Sequence, residues 1–124
     1  MILKNDFYSI QSLQQEGDVV NASIGLNQSH VIFAGHFPGQ PVVPGVCMVQ
    51  IIKEILETTI GKPLQLKAAD HIKFLSMVNP QETAELQAII KYVPGESNMN
   101  VTATLSKNET ICLKMKGVFV DRSY

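Results

Sequence analysis

An α+β fold, with an antiparallel sheet wrapped around one long central helix, is predicted by three observations. The stretch Val46-Cys47-Met48-Val49-Gln50-Ile51-Ile52 is apolar on almost every face, which marks a buried helix. It is too short to span a bilayer, which takes about 20 apolar residues. After it, the chain runs as one strand pattern after another, separated by short turns that imply antiparallel neighbours. Before it, a loop rich in proline and glycine leads straight into the helix.

The elements follow in order. Residues 7–13 carry strand-type side chains and end near the turn signal Glu16-Gly17-Asp18. Val20, Ala22, Ile24 and Leu26 alternate with polar or small neighbours, the pattern of a returning hairpin strand. Asn27-Gln28-Ser29 is a polar loop, and residues 30–33 lead towards Gly35-His36. Three prolines between residues 38 and 44 fix φ and push Gln40 and Val43 into extended conformations. The helix can begin only at about Pro44 or Gly45 and is expected over residues 45–59, with Gly61 closing it and Pro63 just beyond. Its polar residues gather on one side beyond Lys53, so its C-terminal end is expected to emerge from the core.

Residues 64–68 alternate, and residues 70–75 form a second run. Asn79-Pro80-Gln81-Glu82 is a turn. Strands are then expected over residues 83–93, 99–105 and 110–120, with turns at residues 94–97 and 106–109. One sheet cannot enclose a helix on all sides. Pairing two copies would cover more of it and hide a sheet edge, so a homodimer, or a higher oligomer, is expected.

Composition narrows the class. With 124 residues, 45% hydrophobic and 17% charged, the chain is expected to form one domain over residues 1–124. A formal net charge of −1 lacks the basic field of a general nucleic-acid binder. The first residues show no basic segment followed by a long apolar core, so a cytoplasmic protein with no membrane insertion is expected. Cys47 and Cys112 fit reduced, packed thiols, and the three histidines show no metal-ligand spacing.

The run Gly35-His36-Phe37-Pro38-Gly39-Gln40-Pro41-Val42-Val43-Pro44-Gly45-Val46 resembles the signature of the β-hydroxyacyl-(acyl-carrier-protein) dehydratases of the FabZ and FabA types, which have the hot-dog fold. A weaker likeness follows at Ile72-Lys73-Phe74 and Val78-Asn79-Pro80, where Gln81-Glu82 stands in place of the family's Gly-Asp. The resemblance implies a 3-hydroxyacyl thioester substrate borne by acyl carrier protein, a trans-2-enoyl product and no cofactor. It makes His36 the catalytic histidine. It also assigns the Gly45 N–H, with that of Val46, to the thioester carbonyl, and an acyl tunnel between subunits. The family's second catalytic residue is a Glu or Asp fourteen positions after the histidine, and here that position is Gln50.

The chemistry agrees with these assignments. Removing an α proton builds charge on the carbonyl oxygen, which unpartnered N–H groups at a helix N-terminus stabilise. A neutral histidine, with an ordinary pKa of about 6.5, is a competent base. An amide at position 50 can hold the β hydroxyl but cannot donate a proton as an acid does. His36 could then take the α proton and return it to the departing hydroxyl. Glu54, one turn beyond Gln50, could supply a carboxylate, but near the emerging helix end it is expected to be solvated. Outside catalysis, His36 is a loop histidine bonded to a carbonyl. His30 and His71 are expected to be structural or surface residues. Lys62, Lys67, Lys73 and Lys91 offer a positive rim for an acidic carrier protein, or merely solubility. The competing functions are a thioesterase on the same fold, for which Gln50 supplies no base, and a non-catalytic acyl-binding subunit.

Overall fold

A computed structural model describes residues 2–35 and 39–122. Strands β1 (Tyr8–Glu16) and β2 (Val19–Leu26) form the expected hairpin. A single turn of helix, α1 (Ile32–Gly35), follows, and α2 (Gly45–Ile60) is the long helix. Then come β3 (Leu64–Phe74), β4 (Glu85–Pro94), β5 (Asn98–Lys107) and β6 (Thr110–Asp121). The six strands form one sheet in the order β1-β2-β4-β5-β6-β3, antiparallel throughout. This is the α+β arrangement expected, with α2 laid against the sheet.

Register explains how the sheet receives the helix. Val20, Ile90, Ala103, Met115 and Ile72 stand opposite one another across five strands, as do Ala22, Ala88, Leu105, Leu113 and Phe74. Alternation places both rows on one face. That face packs on Cys47, Met48, Ile51, Ile52, Ile55 and Leu56 of α2. Both thiols, Cys47 and Cys112, are buried and unbridged, as expected, and burial pushes the Cys47 thiol up.

Three features differ from the sequence reading. The two runs at residues 64–68 and 70–75 are one strand, β3, whose alternation is reset by irregularities between Leu66 and Ala68 and between Ala69 and His71. β3 lies at the sheet edge beside β6, away from β4, although β4 follows it in the chain. The C-terminal half of α2 does not emerge: Ile55 and Leu56 are fully buried and Glu54 is only 5% exposed, whereas Val46 in the first turn is 66% exposed. The reason is the N-terminal segment, which turns at Asn5 with φ 67 and packs Leu3, Phe7 and Tyr8 into the core. α2 closes as expected, at Gly61 with φ 80 and its N–H bonded to the Glu57 carbonyl.

Candidate active site

The N-terminus of α2 is held open by its sequence. Pro44, with φ −63 and ψ 144, is the N-cap and has no capping side chain. The Cys47 and Met48 N–H groups both turn back to the Pro44 carbonyl, at 3.0 and 3.2 Å. Among the described residues, no acceptor takes the N–H of Gly45 or Val46. These are the orphan donors of a first turn. The loop before them is pinned to the sheet side by the Val43 N–H, which donates to the Val78 carbonyl at 2.9 Å.

Phe74, at the end of β3, is the neighbour of this turn. A Cβ added to Gly45 would lie 2.8 Å from the tip of the Phe74 ring, so glycine is what allows the ring to rest there. The ring is about half exposed, as are Leu75 and Met77 just after it. Together with Val46 they make an apolar surface at the open end of the helix. Phe33 and Met48 are buried in the core, whereas Phe74 and Met77 belong to this surface.

Gln50 is half-buried, one turn further along the helix face that carries Val46. Its Nε2 donates to Glu54 Oε2 at 2.7 Å. Glu54 is therefore not solvated, as its place in the sequence suggested. Its Oε2 also accepts from the Leu3 N–H at 2.8 Å, and its Oε1 accepts from the Lys4 N–H at 2.8 Å and the Tyr8 hydroxyl at 2.9 Å. Four donors make burial of a carboxylate tolerable. Sequence reasoning placed Glu54 on the right face but missed this cluster, because two of its donors are backbone N–H groups.

His36 lies outside the described residues, so its side chain is not placed against Gln50. Neither other histidine belongs to the site. His30 Nε2 lies 3.0 Å from Asp6 Oδ2, its Nδ1 accepts from the Ile32 N–H, and Phe7 meets its ring edge-on. This is the structural role expected of it. His71 is exposed on the outer face of the sheet and, with Lys73, Lys114 and Lys116, lines a shallow cavity of about 300 Å³. Lys91 shares that face through Thr102, so Lys73 and Lys91 do not rim the start of α2. Lys62 pairs with Asp121 at 3.6 Å. No cluster of metal-ligating side chains occurs among the described residues, and no helix among them is long and apolar enough to cross a membrane.

Known proteins share this pattern. Residues 12–115 match the model of the ApeI-like family, described as ApeI dehydratase. The 3-hydroxyacyl-[acyl-carrier-protein] dehydratase FabZ of Lactiplantibacillus plantarum is 32% identical over 95 residues, which are 71% of this chain and 62% of that protein. FabZ of Haemophilus influenzae is 28% identical over 101 residues, 74% of this chain and 68% of that one. The match thus spans about three fifths of the Lactiplantibacillus protein. Among solved structures, the dehydratase heterocomplex ApeI:P from Xenorhabdus doucetiae contains a chain with a TM-score of 0.72 and 18% identity, over 90% of this chain and 96% of that one. A mutant thioesterase from Pseudomonas aeruginosa follows at a TM-score of 0.63 and 11% identity, over 91% and 79%. These two likenesses establish the hot-dog fold, which hosts both reaction types. The family match extends over most of the sequence, and the chain belongs to the ApeI-like, FabZ-related dehydratase family.

Proposed function

We propose that the protein eliminates water from a 3-hydroxyacyl thioester to give the trans-2-enoyl thioester, with acyl carrier protein as the bearer of the acyl group. The observation that carries this reading is the uncapped first turn of α2, with the Gly45 and Val46 N–H groups facing no acceptor among the described residues, one turn from Gln50. The thioester carbonyl oxygen accepts from these donors, and the charge that develops there as the α proton leaves is stabilised by them and by the helix dipole. His36 takes the α proton. The electron pair of that C–H bond becomes the new C=C bond, the β C–O bond breaks, and His36 returns the proton to the hydroxyl, which departs as water. Gln50 aligns the hydroxyl and exchanges no proton.

The whole sequence acts as one unit in this scheme, and the active form is a homodimer. The exposed Val46, Phe74, Leu75 and Met77 support the pairing. A thioesterase reading loses its obvious base, since the Glu54 carboxylate is buried under four donors. The non-catalytic acyl-binding reading keeps one observation in its favour, namely the absence of an acid at position 50.

Incubation with a 3-hydroxyacyl group on acyl carrier protein, followed by enoyl absorbance, tests the proposal. Turnover is expected from the wild-type chain and none from His36→Ala. Equal small rates from both would remove His36 from catalysis. Release of free thiol without enoyl product would establish hydrolysis, and binding without turnover would establish the acyl-binding subunit.

A further inference from the structure

The outer face of the sheet carries a block of positive charge for which the dehydration scheme has no task. Across β3 and β6, Lys73 stands directly opposite Lys114, and His71 opposite Lys116. Across β6 and β5, Lys114 faces Thr104 and Lys116 faces Thr102. Alternation puts these six side chains on the face turned away from α2, because the intervening Ile72 and Met115 belong to the core side. The six line a cavity of about 300 Å³, and no carboxylate among the described residues lines it with them. The nearest acid in sequence, Asp70, sits at the irregularity between Ala69 and His71 and takes no part in the cavity. Among the described residues, neither His71 nor any of the three lysines has a hydrogen-bond or ion-pair partner.

Like charges set directly opposite on paired strands repel, as Lys73 and Lys114 do here. Lys91, opposite Thr102 on β4, adds to the same field. An anion held in the cavity would offset that repulsion. Its size follows from the sheet. Paired strands lie about 4.8 Å apart, and residues two apart along a strand about 6.7 Å. The four basic side chains therefore rise from a block of about 5 by 7 Å. That is the footprint of one or two phosphate groups, and it is narrow for a protein helix, whose diameter with side chains is about 10–12 Å. A single phosphate monoester carries a charge of about −2 at most, less than the three lysines supply. The two threonine hydroxyls add donors for phosphate oxygens. We propose that this cavity binds a small molecule bearing a diphosphate group, with Lys73, Lys114 and Lys116 as its counter-charges. Side chains on this face stand roughly perpendicular to the sheet, so pairing along the β3 edge leaves them accessible. The site makes and breaks no bond, and it stands apart from the dehydration reading.

The test is a calorimetric titration of the whole chain with inorganic pyrophosphate, at an ionic strength of about 0.15 M. Binding is expected with a dissociation constant below about 1 mM, and roughly tenfold tighter than for sulfate at the same ionic strength. In nuclear magnetic resonance spectra the backbone amides of Thr102, Thr104, Lys114 and Lys116 should shift, while those of α2 should not. Lys114→Gln should weaken binding roughly tenfold, by removing one charge-assisted contact. Lys53→Gln, on α2 and away from the cavity, should change it by less than about twofold. Lys114→Gln also removes the like-charge pair, so without ligand it should melt no lower than the wild-type chain, and pyrophosphate should raise its melting temperature less. Its lost affinity is then separate from any loss of fold. Equal affinity for sulfate and pyrophosphate, or equal losses from Lys114→Gln and Lys53→Gln, would show diffuse charge attraction and overturn the site. Capture by phosphatidylglycerol vesicles or by an acidic carrier protein, without affinity for pyrophosphate, would overturn it too, by assigning the lysines to a surface instead of a small ligand.

Discussion

Burial lifts the Tyr8 phenol far above the ordinary tyrosine range, and the charge of Glu54, its hydrogen bond with Tyr8, and Glu57 push it the same way. A group whose pKa is raised by folding holds its proton more tightly in the folded state. Its contribution to stability is complete below the unfolded value of about 10 and is lost as pH rises beyond it. The Tyr8 tyrosinate signal, isolated as the difference between wild type and Tyr8→Phe, should thus appear only together with loss of circular dichroism at alkaline pH. A Tyr8 signal that rises while the fold is intact would contradict the buried bond to Glu54. At this scale the sequence was half legible. Gln50 and Glu54 share a face by simple helical spacing, but the partners of Glu54 include main-chain groups of Leu3 and Lys4, which no residue pattern announces.

Elements were read where periodicity is unbroken, as in β2 and β5, and misread where the backbone resets it. In β3 two irregularities flip the inward and outward sides, so one strand looks like two. Its place at the far edge follows from a long connection to β4 (residues 75–84), and not from a hairpin turn. The start of α2 was legible because proline chemistry allows little else. The tight seat of the Phe74 ring on Gly45 was not, since it joins elements that are far apart in sequence. Gly45→Ala should move that ring. The ring tip is half exposed and can swing, so thermal unfolding should change by less than about 1 kcal/mol, well within the usual range for tolerant sites. Turnover should fall more steeply, because the methyl group and the displaced ring crowd the N–H groups proposed to receive the carbonyl. Equal loss of stability and rate would show the glycine to be structural only.

For the whole molecule, the unpaired edge of β3 and the apolar surface of Val46, Phe74, Leu75 and Met77 lie at the same end of the sheet. An edge and an apolar patch together favour self-association. Light scattering at micromolar concentration should therefore give twice the chain mass, and Val46→Asp should shift it towards the monomer with a parallel loss of turnover. A fully active monomer would end the homodimer proposal. The cluster at Glu54 carries a further implication, for the order in which the fold assembles. Leu3 and Glu54 are 51 residues apart, so their bond closes a long loop. Contacts of that span are favoured late, after the β1–β2 hairpin and α2 have largely formed. Weakening the cluster then acts chiefly on the rate of unfolding, and hardly on the rate of folding. The N-terminal segment works as a latch fastened last.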